Sequence, residues 1–294
     1  MKLGMEDVYR EYKALLFSVA YRMLGSVTEA EDIVQETFLA LTQSDISDIH
    51  HVKSYLCKAV TNSCLDTLKS ARWKREQYVG EWLPEPFAED KDTNDPVQAV
   101  MEKEAVSYGL LVLLDTLSPA ERAVYVLRTA LDYDYGAIAE IMGKTEESCR
   151  KLFSRAGQKL KGSGLQVDVQ PDRSTRLVTE LIQAITRADA TSLVRLLTED
   201  AVLVSDGGGK VKSALRPIFS DQRVVAFLLG IWPRWAPTST MQVHPMNGQD
   251  AILIFSEGEL KMTIQIVMHP EEERIERLYM VTNPEKLSHL FAKA

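Results

Sequence analysis

Glu147, Arg150, Lys151, Ser154, Arg155 and Gln158 recur at steps of three and four residues, which gathers them on one face of a helix. No member of this set is placed to make or break a bond. What the set can do is read: Arg and Lys donate to guanine, Gln pairs with adenine, Glu accepts from cytosine, and the cations also meet phosphates. The opposite face, Cys149, Leu152, Phe153, Ala156 and Leu160, is the apolar stripe that such a helix buries. Thr145 caps this helix, which reaches about Lys161. Gly143 turns the chain after a shorter helix, Tyr135 to Met142, and this order is that of a helix-turn-helix. Upstream, Ser118 caps another helix, with Pro119 at its first position. A solvated helix of mixed charge has the same face, so it is the preceding turn and short helix that favour DNA.

A second set lies in His51 to Arg75, where Lys53, Lys58, Lys69, Arg72, Lys74 and Arg75 face a single acid, Asp66. Tyr55 and Trp73 offer stacking surfaces and Asn62 a base-pairing amide. Bases leaving a duplex are held by such groups, with cations on the strand backbone. A third set is Asp32, Gln35, Glu36 and Leu39, opposite the apolar face of Ile33, Val34, Thr37, Phe38 and Leu41. A leucine among acids suits the centre of a protein interface.

The elements that carry these sets follow from periodicity. A helix runs from Val8 to Leu24 and ends at Gly25, which tolerates a left-handed cap. Thr28, with Glu31 three residues on, is expected to cap the next helix. A third helix covers His51 to Arg75. Glu81 to Pro96 mixes three prolines with acids and reads as a linker, yet it holds the apolar island Trp82 to Phe87, which is expected to dock on something. Helices return from Val97 to Lys161, and Gly162-Ser163-Gly164 is a break. Helices at Ser174 to Arg187 and Thr191 to Thr198 then precede strands at Ala201–Ser205, Ala251–Ser256, Leu260–Met268 and Arg274–Val281. The last region is therefore α+β. Alternation in Lys261 to Val267 predicts a half-buried strand.

The bulk numbers narrow the function. Two or three domains fit into 294 residues. A net charge of −8 argues against a protein that coats nucleic acid without specificity, while leaving room for local basic faces. No apolar run approaches the ~20 residues of a membrane span. The N-terminus lacks the pattern of a secretory signal, so a cytoplasmic protein without membrane contact is expected. Cys57, Cys64 and Cys149 have no metal-type spacing and are expected to be buried thiols. No catalytic residue, metal or cofactor is expected. His244, His269 and His289 are scattered, and Asp206 and Asp250 are candidate bases only in the last region. The glycine triplet at 207–209 lacks the lysine and hydroxyl spacing of a phosphate loop.

Three ordered motifs then resemble one family. Ala30 to Leu39 is similar to the core-polymerase-binding helix of bacterial sigma factors. Tyr55-Leu56, Asn62, Asp66 and Lys69 to Arg75 are similar to the helix that melts and reads the minus-ten element. Leu117 to Arg122, Tyr135 to Gly143 and the Thr145 helix resemble the domain that reads the minus-thirty-five element. In addition, Trp82-Leu83-Pro84-Glu85-Pro86, Asp206-Gly207-Gly208-Gly209-Lys210 and Asn283-Pro284-Glu285-Lys286-Leu287 resemble the signatures of extracytoplasmic-function sigma factors with a fused SnoaL-like domain. The glutamates Glu146 and Glu147 depart from the usual, more basic start of the recognition helix. The loop Gln43 to His50, with Asp45 and Asp48, yields no base pocket.

The resemblance implies two all-α sigma domains, the second a helix-turn-helix, and a cone-shaped α+β SnoaL/NTF2-like domain. The implied boundaries are 1–78, a linker 79–98, 99–163 and 172–294. Core polymerase is implied to meet Asp32, Gln35, Glu36 and Leu39 through its beta-prime clamp. Promoter DNA is implied to meet Asn62, Lys69, Arg72, Trp73, Lys74 and Arg75 at the minus-ten element, and the Glu147 to Gln158 face at the minus-thirty-five element. Trp82, Leu83, Pro84, Asp206, Gly207, Gly208, Gly209, Lys210, Asn283 and Pro284 are implied to regulate the factor from within the chain, with no anti-sigma partner required. The alternatives are a C-terminal domain that senses a small molecule or keeps enzyme activity, and a conventional DNA-binding regulator.

Overall fold

The computed structural model describes residues 5–43, 51–88, 97, 107–163 and 171–291, with backbone alone for 71–76 and 171–172. The loop Gln43 to His50 lies outside the described residues except for Gln43, as do the linker beyond Ala88 up to Pro96 and most of 97–106. Compactness divides the chain into two units. The first holds 1–76, 90–106 and 111–164, and the second holds 77–89, 107–110 and 165–294.

In the first unit, α1 (Met5–Leu24), α2 (Val27–Thr42) and α3 (Val52–Glu76) pack around Leu16, Val19, Ala20, Ile33, Val34, Phe38, Leu56, Val60 and Cys64, all buried. Burying each such aliphatic side chain contributes about 1.5–3 kcal/mol. Gly25 takes φ +68° and its amide donates to Tyr21, the left-handed ending expected for α1. The cap of α2 is Ser26 rather than Thr28: Ser26 Oγ accepts from the Glu29 amide at 3.1 Å. The helix thus starts two residues earlier, because Ser26 follows the glycine in extended backbone and leaves Thr28 inside the first turn.

The remaining helices of this unit are α4 (Tyr108–Asp115), α5 (Pro119–Ala130), α6 (Tyr135–Met142) and α7 (Glu146–Gly162). The first three residues of α4, Tyr108, Gly109 and Leu110, belong to the second unit. The α5 start is a full capping box: Ser118 Oγ accepts from Glu121 N, and the Ser118 amide donates to Glu121 Oε2 at 2.9 Å. Helices α1 and α3 pack against α5 and α6. The buried Arg122 of α5 donates to the Met23 carbonyl of α1 at 2.8 Å and to Asp115 at 2.6 Å. Tyr133 donates its hydroxyl to Cys57 Sγ, and Lys53 lies over the Tyr133 ring. Cys57, Cys64 and Cys149 are buried free thiols, and burial pushes the Cys57 and Cys64 thiols up and out of the reactive range.

The second unit is α+β, as expected. It contains α8 (Pro171–Thr186), α9 (Ala190–Leu196), β1 (Leu197–Asp206), β2 (Ile218–Phe219), α10 (Asp221–Trp235), β3 (Ser239–Met246), β4 (Gln249–Ser256), β5 (Glu259–Met268), β6 (Ile275–Val281) and α11 (Pro284–Leu287). The strand order is β2-β1-β6-β5-β4-β3, antiparallel except for β1 with β6. One sheet face, with Ile252, Ile254, Met262, Ile264, Ile266, Leu278 and Met280, closes on Leu177, Leu181, Val224 and Leu228 of α8 and α10. Strand β5 is buried from Met262 to Met268 rather than half-buried. Its second face, with Thr263 and Gln265, is covered too. The sequence pattern shows no element at α10, β2, β3 or α11: Gly230 and Pro233 interrupt the helical pattern of α10, Pro245 interrupts β3, and β2 and α11 are too short to show a period.

Candidate promoter interface and linker clamp

The helix-turn-helix is built by local chemistry. Asp134 Oδ1 accepts from the Ala137 amide at 2.8 Å and starts α6. Gly143, at φ +59°, ends it, and Thr145 Oγ1 then accepts from the Ser148 amide at 3.2 Å to start α7. Cys149, Ala156 and Leu160 are buried, and Phe153 stacks on Tyr125, which fixes the rotation of α7. All six predicted readers, Glu147, Arg150, Lys151, Ser154, Arg155 and Gln158, are exposed as a result.

The two unexpected glutamates occupy those readers. Glu146 pairs with Arg150 at 2.8 Å and Glu147 with Lys151 at 2.7 Å, each one helical turn apart. Arg150 also lies 4.5 Å over the Tyr135 ring. Exposed pairs of this kind contribute about 0.3–0.5 kcal/mol each, so they do not fasten the cations permanently. They do lower the local positive potential. Replacing both glutamates with glutamine is therefore expected to tighten binding to unrelated duplex DNA several-fold and to narrow the gap between promoter and non-promoter. Fluorescence anisotropy on both DNAs checks this, and an unchanged gap would show that the pairs do not tune the face.

On α2, Asp32, Gln35, Glu36 and Leu39 are exposed, and Leu39 is 60% accessible. On α3, Asn62 and Lys69 are exposed, with Lys69 held by Asp66 at 2.8 Å. Arg72, Trp73, Lys74 and Arg75 lie on α3, but their side chains fall outside those described.

In the second unit the three signature motifs meet at one buried carboxylate. Asp206 is fully buried at the end of β1. Its Oδ1 accepts from Tyr78 Oη at 2.6 Å and from the Gly208 amide at 2.9 Å. Its Oδ2 accepts from the Leu83 amide at 2.9 Å and from Lys286 Nζ at 2.7 Å. Lys286 in turn donates to the Leu83 carbonyl and lies 4.1 Å over the Trp82 ring. Asn283 donates to Tyr78 Oη at 3.0 Å and caps α11 through the Glu285 amide. A buried ion pair needs its remaining lone pairs and protons satisfied, and here the linker backbone does part of that. Burial, followed by the Asp206 carboxylate, pushes the Tyr78 phenol far up, which keeps it a donor.

The rest of the linker is gripped in the same way. Tyr108 Oη donates to the Pro84 carbonyl at 2.7 Å and His289 Nε2 to the Pro86 carbonyl at 2.8 Å. Phe87 exchanges two hydrogen bonds of 3.0 Å with Asn247. Leu83, Pro84, Pro86 and Phe87 are buried. Gly208 and Gly209 hold φ +60° and +71°, and an added Cβ on Gly208 would stand 2.3 Å from Asn283 Nδ2. The glycine run is thus more than a hairpin turn. Lys210 reaches Glu285, and Pro284 opens α11. Tyr78, Tyr108 and Asn247 carry no local pattern in the sequence, and His289 stands there only as one of three scattered histidines, because a lone side chain does not announce its partner. The histidines have separate surroundings: His244 packs on Phe291, His269 accepts from the Glu272 amide, and His289 grips the linker. Among the described residues, no helix is long and apolar enough to cross a membrane and no group of side chains could hold a metal ion.

Comparison with known proteins agrees with this geometry. Residues 8–74 match sigma-70 region 2 and residues 109–160 match sigma-70 region 4. The chain is 34% identical over 245 residues to the ECF RNA polymerase sigma factor SigJ of Mycobacterium tuberculosis, covering 81% of this chain and 78% of that protein. It is 28% identical to the probable ECF RNA polymerase sigma factor SigI of the same organism, over 97% and 95% of the two chains. The crystal structure of Mycobacterium tuberculosis SigJ superposes with a TM-score of 0.76 at 28% identity, over 95% of this chain and 97% of that one. The C-terminal α+β domain is thus shared, as a SnoaL-like extension would be. With two sigma-70 regions in order and a relative of this similarity, the chain belongs to the extracytoplasmic-function RNA polymerase sigma factors, which direct promoter-specific initiation of transcription.

Proposed function

We propose that this sigma factor is governed by its own C-terminal domain through the linker clamp. Core polymerase meets the Asp32, Gln35, Glu36 and Leu39 face. The minus-ten strand meets Asn62, Lys69 and the Arg72 to Arg75 run, and α7 enters the major groove of the minus-thirty-five element. The C-terminal domain decides how far apart the two DNA-binding domains can move. A free linker of residues 79–98 reaches about 70 Å when extended. A linker moored from Tyr78 to Phe87, with Tyr108 moored on the same domain, has most of that reach removed. The observation that carries this reading is the meeting of Leu83, Asp206 and Lys286 in one buried cluster. Control within the chain, with no separate anti-sigma protein, is part of the proposal.

The test is transcription from a cognate promoter with purified core polymerase, comparing the full chain with Leu83→Asp and Trp82→Ala variants. Undocking is expected to raise transcript yield several-fold and to relax the dependence on spacer length between the two promoter elements. Equal yield and equal spacer dependence in folded variants would refute the clamp as a regulator. Small-molecule sensing is the second reading of this domain. The sheet face toward α8 and α10 is filled by aliphatic side chains from those helices, which favours a structural over a ligand-holding interior.

A further inference from the structure

From Gly207 to Ser220 the chain carries Lys210, Lys212 and Arg216 and no acid, in a protein of net charge −8. This stretch is a formed loop. The amides of Lys210 and Val211 donate to the Gly207 carbonyl at 3.0 and 3.2 Å, and the Ser205 and Ser213 hydroxyls bond each other. Gly207 has no room for a side chain, since an added Cβ would stand 2.4 Å from the Val211 carbonyl oxygen. The other flank is set by the clamp: Gly208 donates to Asp206, Val79 packs on Gly209, and Leu215 lies over Gly80. Lys210 is engaged by Glu285. Lys212 and Arg216 are exposed and have no ion pair among the described residues. Two cations are thus presented on a hydrogen-bonded loop, with no ion pair to them among the described residues.

Sequence order limits how far the loop can lie from the end of α3. Tyr78, which is held by Asp206 just before the loop, is the second residue after Glu76, the last of α3. Two residues of chain span at most about 7 Å. A loop tied that closely to the end of a DNA-contacting helix shares its polyanion, and fixed cations gain most where phosphates are dense.

We infer that the loop from Gly207 to Pro217 is a sequence-independent contact for the phosphate backbone of promoter DNA bordering the minus-ten element, made by Lys212 and Arg216. The inference rests on α3 carrying the minus-ten contacts. Leu215 and Phe219, 60% and 58% accessible, flank the cations and would suit a protein partner instead. The acid-free charge and the two-residue tether favour DNA.

The test uses holoenzyme assembled from the full chain and cognate core, with equilibrium binding to a labelled promoter fragment over a salt series. Lys212→Gln/Arg216→Gln is expected to make the slope of log affinity against log salt shallower by about two, one per lost contact. Binding at each salt weakens several-fold, while affinity for core polymerase and thermal midpoint stay the same. An unchanged slope overturns the inference, and so does weaker core binding without a change of slope, which would make the patch a protein interface. A parallel Lys69→Gln/Arg72→Gln variant separates the two levels. A shallower slope there with none in the loop variant sinks the loop contact alone, and no change in either removes the minus-ten reading as well.

Discussion

Replacing Lys286 with methionine will speed amide exchange at Leu83 and Phe87 by about two to three orders of magnitude. The reasoning starts from burial. Lys286 and Asp206 are 6% and 0% accessible, and they pair at 2.7 Å. Removing one partner of such a pair leaves an uncompensated charge, at a cost of about 3–5 kcal/mol. The cheapest relief is to let water reach Asp206, and that means lifting the linker. The Leu83 amide then loses its acceptor directly. The Phe87 amide, bonded to Asn247, is the informative probe. If the linker leaves as one piece both amides accelerate; if only Leu83 accelerates, the clamp is two separate contacts. The Asp206→Asn/Lys286→Met double variant, with no orphaned charge, should recover part of the protection. Unchanged exchange in the single variant would show that the pair does not hold the linker.

The second large effect belongs to α7. Charge reversal at Arg150, Lys151 and Arg155 together is expected to weaken promoter binding by holoenzyme at least roughly a hundredfold at physiological salt, since a base contact is worth about 1–3 kcal/mol and each phosphate contact adds to the salt slope. Arg155 should contribute most as a single change, because Arg150 and Lys151 begin paired to Glu146 and Glu147, whereas Arg155 has no ion pair among the described residues. Filter binding over a salt series measures both affinity and slope. Affinity within twofold of the parent would remove α7 as the reading helix. Core binding, proposed for the α2 face, should be unaffected in the same variants.

Much of this was legible in the chain itself, and the reason is distance along it. Ser118, Thr145 and Gly143 act on residues three to five positions away, so helix starts and stops in the helix-turn-helix can be read directly. The apolar stripe of α7 obeys the same rule. The Asp206 cluster does not. Its hydrogen bonds join residues 123, 128 and 80 positions apart, and nothing in a glycine-rich turn says that the carboxylate before it is fully buried. The motifs could be quoted, but their meeting point could not. Tyr78 and Tyr108 matter only because folding brings them to the linker. Thr28 with Glu31 completes a capping pattern in the sequence, while the real cap, Ser26, is decided by the backbone leaving Gly25. The alternation of β5 reads as half-buried because a covering layer that includes α11, from a different part of the sequence, leaves no trace in it.

The Arg122 hydrogen bond to the Met23 carbonyl has a consequence for how this protein meets a promoter. It ties α1 of the first sigma-70 region to α5, the helix just before the helix-turn-helix, and Tyr133 with Cys57 and Lys53 makes a second stitch. Duplex DNA advances about 3.4 Å per base pair, so elements centred roughly 25 base pairs apart are separated by roughly 85 Å. Domains stitched side by side cannot read both marks on such a ruler at once. The stitched form is a folded-up pair of callipers: each jaw is intact, and the gap between them is set to zero. Its failure to hold a promoter alone would then be a matter of span rather than of weak contacts, and a factor with the stitches cut would bind the two elements with an affinity that tracks the distance between them.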